Sequence, residues 1–427
     1  MKYGLIGNAV QQSYAKEFHE SIAPITYEIK SMDEKTFDEF MKAKDFKGVN
    51  ITIPYKEKVI KYLDEISDIA KAIGAVNIVI NHKGKLYGDN VDYYGLMVNI
   101  KHFHIDIKDR HVLILGTGGT SNTAAYVCKI LGAKSIMKAT INSDELSSDI
   151  VSYDEAQKLN ETQVIINTTP VGMWPHVDDD LLVNLDCYPR LEAVLDCIYN
   201  PYKTRLMIEA KHRNLKYANG LMMLVAQGVK TNEMMTGRKY DKRIYLQTYL
   251  NLICREANIV LIGMPGAGKK TIAQALGDKL GMYAYDVDRQ IEIKQNSKIF
   301  DLLMHYDARH YRDIESDMIR DLAKNKGKIV STGSGVVTRE KNIKILERNA
   351  IIIYVNRDLE GIKKTLEKDR LYDFNLVIEK YGSLENMLKE RDHLYRKYCD
   401  FIVTNNADDD KMSDRIIYKI IGEEIKD

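Results

Sequence analysis

The chain has 427 residues, 45% hydrophobic and 29% charged, with a formal net charge of +1 from 62 basic and 61 acidic side chains. That length exceeds one ordinary core, so two or three domains are expected, and the balanced charge gives no electrostatic case for a nucleic-acid or membrane-surface partner. Cys128, Cys187, Cys197, Cys254 and Cys399 are an odd set without a C-x-x-C, Met1-Lys2-Tyr3 opens no signal-peptide core, and the longest apolar runs, such as Ala350 to Val355, are strand-sized; a cytoplasmic enzyme is expected.

In chain order, Lys2 to Gly7 reads as a strand, and Val49 to Pro54 as another, stopped by its proline. Between them Ser13 to Ile22 and Asp33 to Lys44 carry helical spacing, and a third helix is expected from about Lys56 to Ile73. Ala75 to Asn81 and Lys85 to Tyr87 read as paired strands. Polar residues gather at the strand ends, where α/β proteins place ligands: Asn50, Thr52 and Lys56 at the end of one strand, Asn77 ending the next, then Gly88-Asp-Asn-Val-Asp92. Each alone is an ordinary cap or turn. Lys56 is unusual at a helix start, where the dipole disfavours a cation.

His111 to Leu115 is a buried strand that enters the turn Gly116-Thr117-Gly118-Gly119-Thr120-Ser121, followed by a helix from Asn122 to Leu131. Strands at Ser135 to Ile141, Val164 to Asn167 and Ala193 to Tyr199, with a helix at Thr204 to Asn214, complete an alternating pattern that argues for a Rossmann domain. The turn is G-x-G-G-x-S, a weak dinucleotide signal by itself. A helix from Asp241 to Arg255 follows.

Ile259 to Ile262 then enters Gly263-Met-Pro-Gly266-Ala267-Gly268-Lys269-Lys270-Thr271, with a helix from Thr271 to Leu280. Strand, G-x-x-x-x-G-K and helix make a phosphate-binding loop. Its glycines turn backbone N–H groups toward phosphate oxygens, the helix N-terminus adds positive charge, and Lys269 reaches the outer phosphates. Downstream lie Asp286 and Asp288, then Tyr311, Arg312 and Glu315, the turn Ser331-Thr-Gly-Ser334-Gly335, Arg370, and a helix through Arg391. An acid pair just after a phosphate loop suits phosphoryl transfer, which needs a metal-side carboxylate and a group that orients the attacking hydroxyl.

Two resemblances organise these residues. Asn50-Ile-Thr-Ile-Pro-Tyr-Lys56, Gly74-Ala-Val-Asn77, Gly88-Asp-Asn-x-Asp92 and Gly7-Asn-x4-Ser13, with His19 beyond, resemble the substrate domain of shikimate dehydrogenases. Ile166-Asn-Thr-Thr-Pro-Val-Gly-Met173, Tyr199-Asn-Pro201 and Asn219 to Gln227 resemble the cofactor half and the return to the substrate domain. The resemblance implies Lys56 and Asp92 as the catalytic pair, with Ser13, Asn50, Thr52, Asn77, Tyr199 and Gln227 on substrate. It also implies Gly116, Thr117, Gly118, Gly119, Thr120 and Gly220 at the cofactor, while Met222, Met223 and Leu224 read as core. The family's 2′-phosphate arginine is Ile141 here, with Lys138 a substitute and Asp144, the nearest acid, too late. NADP is therefore expected, with NAD the alternative.

The last part is similar to shikimate kinase throughout. The likeness implies Gly266, Ala267, Gly268, Lys269, Lys270, Thr271 and Arg370 at ATP, and Asp286 on the Mg2+ side. Asp288 would take the substrate hydroxyl, and Arg312, Ser334, Gly335 and Arg391 would hold the ring acid, its carboxylate on the arginines. Together the two likenesses imply reduction of 3-dehydroshikimate to shikimate and then its phosphorylation by ATP. The expected architecture is α/β: a substrate-binding domain at 1–102 and 221–252, a Rossmann NADP-binding domain at 103–220, and a phosphate-loop kinase domain with a parallel sheet at 256–427. No oligomeric state follows from the sequence.

Departures from the patterns are specific. Gln12, Ala15, Lys16 and Val91 replace usual side chains of the dehydrogenase motifs, Leu371 a lid proline, and Ser334 the middle glycine of a kinase turn. Lys270 stands where a serine or threonine hydroxyl would bind magnesium, and an ammonium cannot ligate a cation. Three readings stay open: a working bifunctional enzyme, a dehydrogenase with a slow or silent kinase-like module, and a ligand-sensing protein with both sites decayed.

Overall fold

In a computed structural model the described residues are all except 9, 11–14, 300, 303–307, 369–381, 407–410 and 424–427. The chain forms two compact units, Met1–Tyr199 with Thr204–Tyr249, and Asn200–Lys203 with Leu250–Asp427. The first holds two sheets and the second holds one.

The first sheet is mixed: β1 (Tyr3–Gly7), β2 (Tyr27–Ser31), β3 (Gly48–Ile51), β4 (Glu65–Ile66), β5 (Ile78–His82) and β6 (Lys85–Asp89), in the order β2-β1-β3-β5-β6-β4. β1 pairs parallel with β2 and β3, whereas β5 runs antiparallel to β3 and β6. Strand β3 stops at Ile51, short of the expected Pro54, because Tyr55 N–H bonds back to Thr52 O in a turn. The helix expected from Lys56 to Ile73 is instead a 3-10 turn (Lys58–Tyr62), strand β4 and a helix (Asp68–Ile73). Asp64 N–H bonds Leu86 O and Ser67 N–H bonds Gly88 O, which ties this stretch to β6. Ser67 then caps the new helix by accepting from Ala70 N–H.

The second sheet is wholly parallel: β7 (His111–Leu115), β8 (Ser135–Thr140), β9 (Ile150–Ser152), β10 (Val164–Asn167), β11 (Ala193–Asp196) and β12 (Lys216–Ala218). Its order, β12-β11-β10-β7-β8-β9, is that of a dinucleotide-binding fold, with the topological switch between β7 and β10. Alternate residues serve opposite faces. Val112, Ile114, Val164 and Ile166 pack in one core, and Leu113, Leu115 and Ile165 in the other. Burial on both faces explains why these strands read as unbroken apolar runs. Each such side chain contributes about 1.5–3 kcal/mol.

The helix Asp92–His102 lies against the helix Leu221–Thr236. Gly95 allows this approach: a Cβ there would stand 2.6 Å from Met223 O. That contact returns the chain, after the second sheet, to the first.

The second unit holds β13 (Asn258–Ile262), β14 (Tyr283–Asp286), β15 (Lys328–Ser331), β16 (Ala350–Asn356) and β17 (Phe401–Thr404), all parallel, in the order β14-β15-β13-β16-β17. The central strand β13 is fully buried and delivers the phosphate loop at its carboxyl end. Among the described residues no helix is long and apolar enough to cross a membrane.

Candidate functional sites

In the first unit the strand ends assemble one polar cluster. Lys56 Nζ donates to Asp92 Oδ2 at 2.6 Å, with the two side chains 24% and 12% exposed. Asp92 opens its helix, and its N–H bonds Asn90 Oδ1 while Asn90 Nδ2 bonds Ala75 O. Asn77 is buried and accepts from Val91 N–H, so the segment before Asp92 is pinned to the start of β5. The turn read as acids and amides is therefore a scaffold for Asp92. Lys56 O also accepts from Val76 N–H, which fixes the lysine's backbone beside that strand.

Asn50 is held from several sides. Its Oδ1 accepts from Tyr27 Oη at 2.6 Å, and its Nδ2 donates to Thr231 Oγ1 at 3.2 Å and Asn77 O at 3.4 Å. Tyr27 and Thr231 were not legible in the sequence as site residues, since Tyr27 reads as an ordinary core position of an alternating strand and Thr231 sits inside an apolar helix. His19 stacks on Tyr27 with ring centroids 4.3 Å apart and bonds Asn232 Oδ1. Burial pushes its pKa down to about 4, so the imidazole is neutral and structural. Thr52 follows β3 with its N–H on Ile6 O. Gln227 lies on the helix Leu221–Thr236, facing Gly95. Tyr199 is partly exposed in the loop after β11. Ser13 lies outside the described residues.

The two sheets of this unit meet at that cluster. The Asp92 carboxylate is close enough to Cys197, after β11, to join burial and Asp196 in raising its thiol pKa. Gly220 caps the helix Leu221–Thr236, and a Cβ there would lie 2.1 Å from Cys197 O, so only glycine fits.

The glycine turn follows β7 at the switch point. Gly116 has φ +105, and a Cβ would meet Thr168 Oγ1 at 2.9 Å. Gly118 caps the helix Gly119–Ile130 without a side-chain bond, and a Cβ at Gly118 or Gly119 would meet nothing within 4 Å. The turn thus leaves open space over a helix N-terminus, lined by Thr117 and Thr120, which suits a pyrophosphate. The helix begins at Gly119 rather than at Asn122. Asn167 and Asp196, at the ends of β10 and β11, tie the loops beyond them: Asn167 Nδ2 and Thr204 Oγ1 donate to Asp196, whose burial raises its pKa to about 6.

In the second unit, Gly263, Gly266 and Gly268 have φ of +147, +70 and +89, and a Cβ at Gly263 would lie 2.5 Å from Val355 O. Ala267 is buried, its carbonyl accepting from Asn405 Nδ2. The helix starts at Lys269, whose buried Nζ donates to Gly263 O at 3.0 Å and Met264 O at 2.8 Å. Lys270 is exposed and its Nζ lies 3.1 Å from Asp286 Oδ2. Asp286 also caps the next helix, Val287–Gln295, by accepting from Arg289 N–H. Thr271 is exposed one position further round the helix. Among the described residues no group of three or more His, Cys, Asp or Glu side chains converges as a metal cage. The carboxylate side of a magnesium site is present in Asp286, and the hydroxyl side is absent.

The turn Gly333-Ser334-Gly335 collects the remaining groups. A Cβ at Gly333 would meet Glu315 Oε1 at 2.7 Å and Asp288 Oδ1 at 2.9 Å, and one at Gly335 would overlap the Arg312 guanidinium. Arg312 Nη1 donates to Glu315 Oε2 at 2.7 Å. Asp288 accepts from Tyr311 Oη at 2.9 Å, and burial beside Glu315 raises its pKa to about 6. Ser334 Oγ accepts from Arg391 Nη1 at 3.0 Å, and Ser334 O accepts from Tyr395 Oη. The serine in place of a glycine thus anchors a guanidinium. Arg370 and Leu371 lie outside the described residues.

Comparison with known proteins matches both units. Residues 5–79 fit the family model of the shikimate dehydrogenase substrate binding domain, and residues 265–421 fit that of shikimate kinase. A shikimate dehydrogenase (NADP(+)) from Clostridium perfringens is 35% identical over 268 residues, 59% of this chain and 98% of that protein. The crystal structure of shikimate dehydrogenase 1 from Peptoclostridium difficile superposes with a TM-score of 0.54 at 32% identity, covering 59% of this chain and 98% of that one. A chorismate mutase/shikimate 5-dehydrogenase fusion protein from Clostridium acetobutylicum gives 0.54 and 32%, over 58% of this chain and 96% of that one.

Proposed function

The chain belongs to the shikimate dehydrogenase family over 59% of its length and carries a shikimate kinase domain at residues 265–421, and from that premise we propose that it reduces 3-dehydroshikimate to shikimate and then phosphorylates shikimate. It is a bifunctional enzyme of the shikimate pathway, with NADP(H), ATP and Mg2+ as its cofactors. In this reading residues 1–102 with 221–252 bind the ring acid, 103–220 bind the dinucleotide, and 256–427 bind ATP and shikimate, in the cytoplasm.

The observation that carries the first reaction is the 2.6 Å Lys56–Asp92 pair at the junction of the two sheets. The bound dinucleotide supplies the hydride for the carbonyl carbon. Lys56 gives a proton to the carbonyl oxygen, becoming neutral, and Asp92 orients the ammonium and balances its charge. Asn50, Thr52, Asn77, Tyr199, Gln227 and Ser13 would surround the ring hydroxyls, which need neutral hydrogen-bonding groups.

For the second reaction, Asp288 would accept the proton of the attacking ring hydroxyl. A carboxyl raised to about 6 is better matched to that task at neutral pH than an ordinary aspartate. Arg312 and Arg391, both directed at the Gly333–Gly335 turn, would hold the ring carboxylate. Lys269 would move from its two loop carbonyls to the transferring phosphoryl group, countering charge there. Magnesium, which screens phosphate charge when bound, would be held from Asp286.

The test is a coupled assay on the purified full-length chain with 3-dehydroshikimate, NADPH, ATP and magnesium, following cofactor oxidation and ADP release separately. Both signals are expected, the second dependent on the first. One observation favours a second reading: the Lys270 ammonium competes for the carboxylate that magnesium would use. Oxidation without ADP release would establish that reading, a dehydrogenase with a slow or silent kinase module.

A further inference from the structure

Strand β8 lies beside β7 and its glycine turn. In a dinucleotide-binding fold the end of this second strand meets the adenosine ribose. A 2′-phosphate there calls for a cation or a guanidinium fork, and a free 2′-hydroxyl calls for an acceptor. Ile141, in the place of the arginine, is 90% exposed and offers no donor from its side chain. Lys138 is half-buried, its ammonium bonded to Asn122 Oδ1 at 2.7 Å, and burial lowers its pKa.

An acceptor of that kind stands just beyond the strand end, at Glu145. Asn142 accepts from Asp144 N–H and starts a 3-10 turn, Ser143–Glu145, that folds the chain back over the strand end. Glu145 Oε2 thereby accepts from Thr140 Oγ1 at 3.2 Å, and Oε1 accepts from Asn142 Nδ2 at 3.1 Å. Thr140 Oγ1 is in turn 3.4 Å from Thr117 Oγ1, inside the glycine turn. Hydrogen bonds from Thr117, Asn142 and Thr140 hold the Glu145 carboxyl below its ordinary range, so it is charged at neutral pH.

We propose that Glu145 sets coenzyme choice: it accepts from the ribose 2′-hydroxyl and repels a 2′-phosphate, so that NAD(H) is a coenzyme of this site at least equal to NADP(H). The inference rests on the dinucleotide reading given above. A carboxylate fixed by Thr117, Thr140 and Asn142 needs no rearrangement to accept a hydroxyl, and its two oxygens have acceptor capacity beyond these bonds. A phosphate dianion in the same place would face like charge, and Lys138, whose field reaches Glu145, is held on Asn122 Oδ1.

The experiment is fluorescence titration of the full-length protein with NADH and with NADPH, for the unaltered chain, Glu145→Gln and the double variant Glu145→Gln, Ile141→Arg. The unaltered chain should bind NADH as tightly as NADPH or more tightly. Glu145→Gln, which keeps shape and removes charge, should move the ratio toward NADPH about tenfold, and the double variant further. Tenfold tighter binding of NADPH by the unaltered chain overturns the proposal, as does a ratio that Glu145→Gln leaves unmoved while both dinucleotides bind. Binding of neither dinucleotide removes the dehydrogenase reading itself and this inference with it.

Discussion

Lys270 Nζ lies 3.1 Å from Asp286 Oδ2, so the second residue of the helix after the phosphate loop holds the carboxylate at the end of the neighbouring strand β14. The lysine is 71% exposed and the aspartate 20%, which makes the pair a weak one that a divalent cation must compete with rather than a permanent lock.

Lys270→Ser removes the competitor and returns a hydroxyl. The magnesium concentration needed for half-maximal kinase turnover should fall at least about threefold, with the dehydrogenase rate unchanged. An unaltered magnesium dependence would mean that the pair has no bearing on the metal.

Lys56→Ala takes away the proton donor but leaves Asn50, Thr52 and Asn77 in place. Dehydrogenase kcat should drop by roughly 10²–10⁴ while KM for the ring acid changes by no more than a few-fold. Parallel losses in binding and turnover would show that Lys56 positions substrate instead.

Ser334→Gly deletes the 3.0 Å bond from Arg391 and keeps the backbone that Tyr395 holds. We expect KM for shikimate to rise roughly five- to tenfold, the equivalent of about 1 kcal/mol or slightly more, with kcat little changed. A KM that stays put would show that Arg391 needs no help from the serine.

His19 gives a stability prediction with a definite sign. Its pKa is about 4 in the fold against 6.5 for the free side chain, because burial disfavours the cation. The native state refuses a proton that the unfolded chain accepts, so the contribution is complete above pH 6.5 and is lost as pH falls toward 4. Between pH 7 and pH 5 it should amount to about 2 kcal/mol. Urea midpoints of the first unit, compared with His19→Phe, should show a flatter pH profile for the variant. Equal profiles would place the acid sensitivity elsewhere.

The parts of these sites that local chain geometry dictates were readable in advance. A strand, a glycine turn and a helix start are consecutive in sequence, so Gly116 to Thr120 and Gly266 to Lys269 declared themselves. Lys56 and Asp92 showed themselves through motif likeness, and their contact follows from Asn77 and Asn90 pinning the intervening segments. Residues placed by folding back escaped. Glu145 reaches its position through a three-residue turn, and Tyr27 and Thr231 reach Asn50 from 23 and 181 residues away. The long helix expected after Lys56 failed for a similar reason: apolar spacing cannot reveal that Asp64 and Ser67 pair with β6.

Asn50 has a consequence for what the ring-acid pocket can tell apart. Both of its amide hydrogens are directed at Thr231 and Asn77, and one lone pair of its oxygen receives the Tyr27 proton. What is left over is a single acceptor direction. Such an amide welcomes a ligand oxygen that carries hydrogen and opposes one that does not, so if Asn50 binds the ring acid as proposed, the ring position beside it would be an alcohol in oxidised and reduced ligand alike, and the carbon that changes oxidation state would lie elsewhere around the ring.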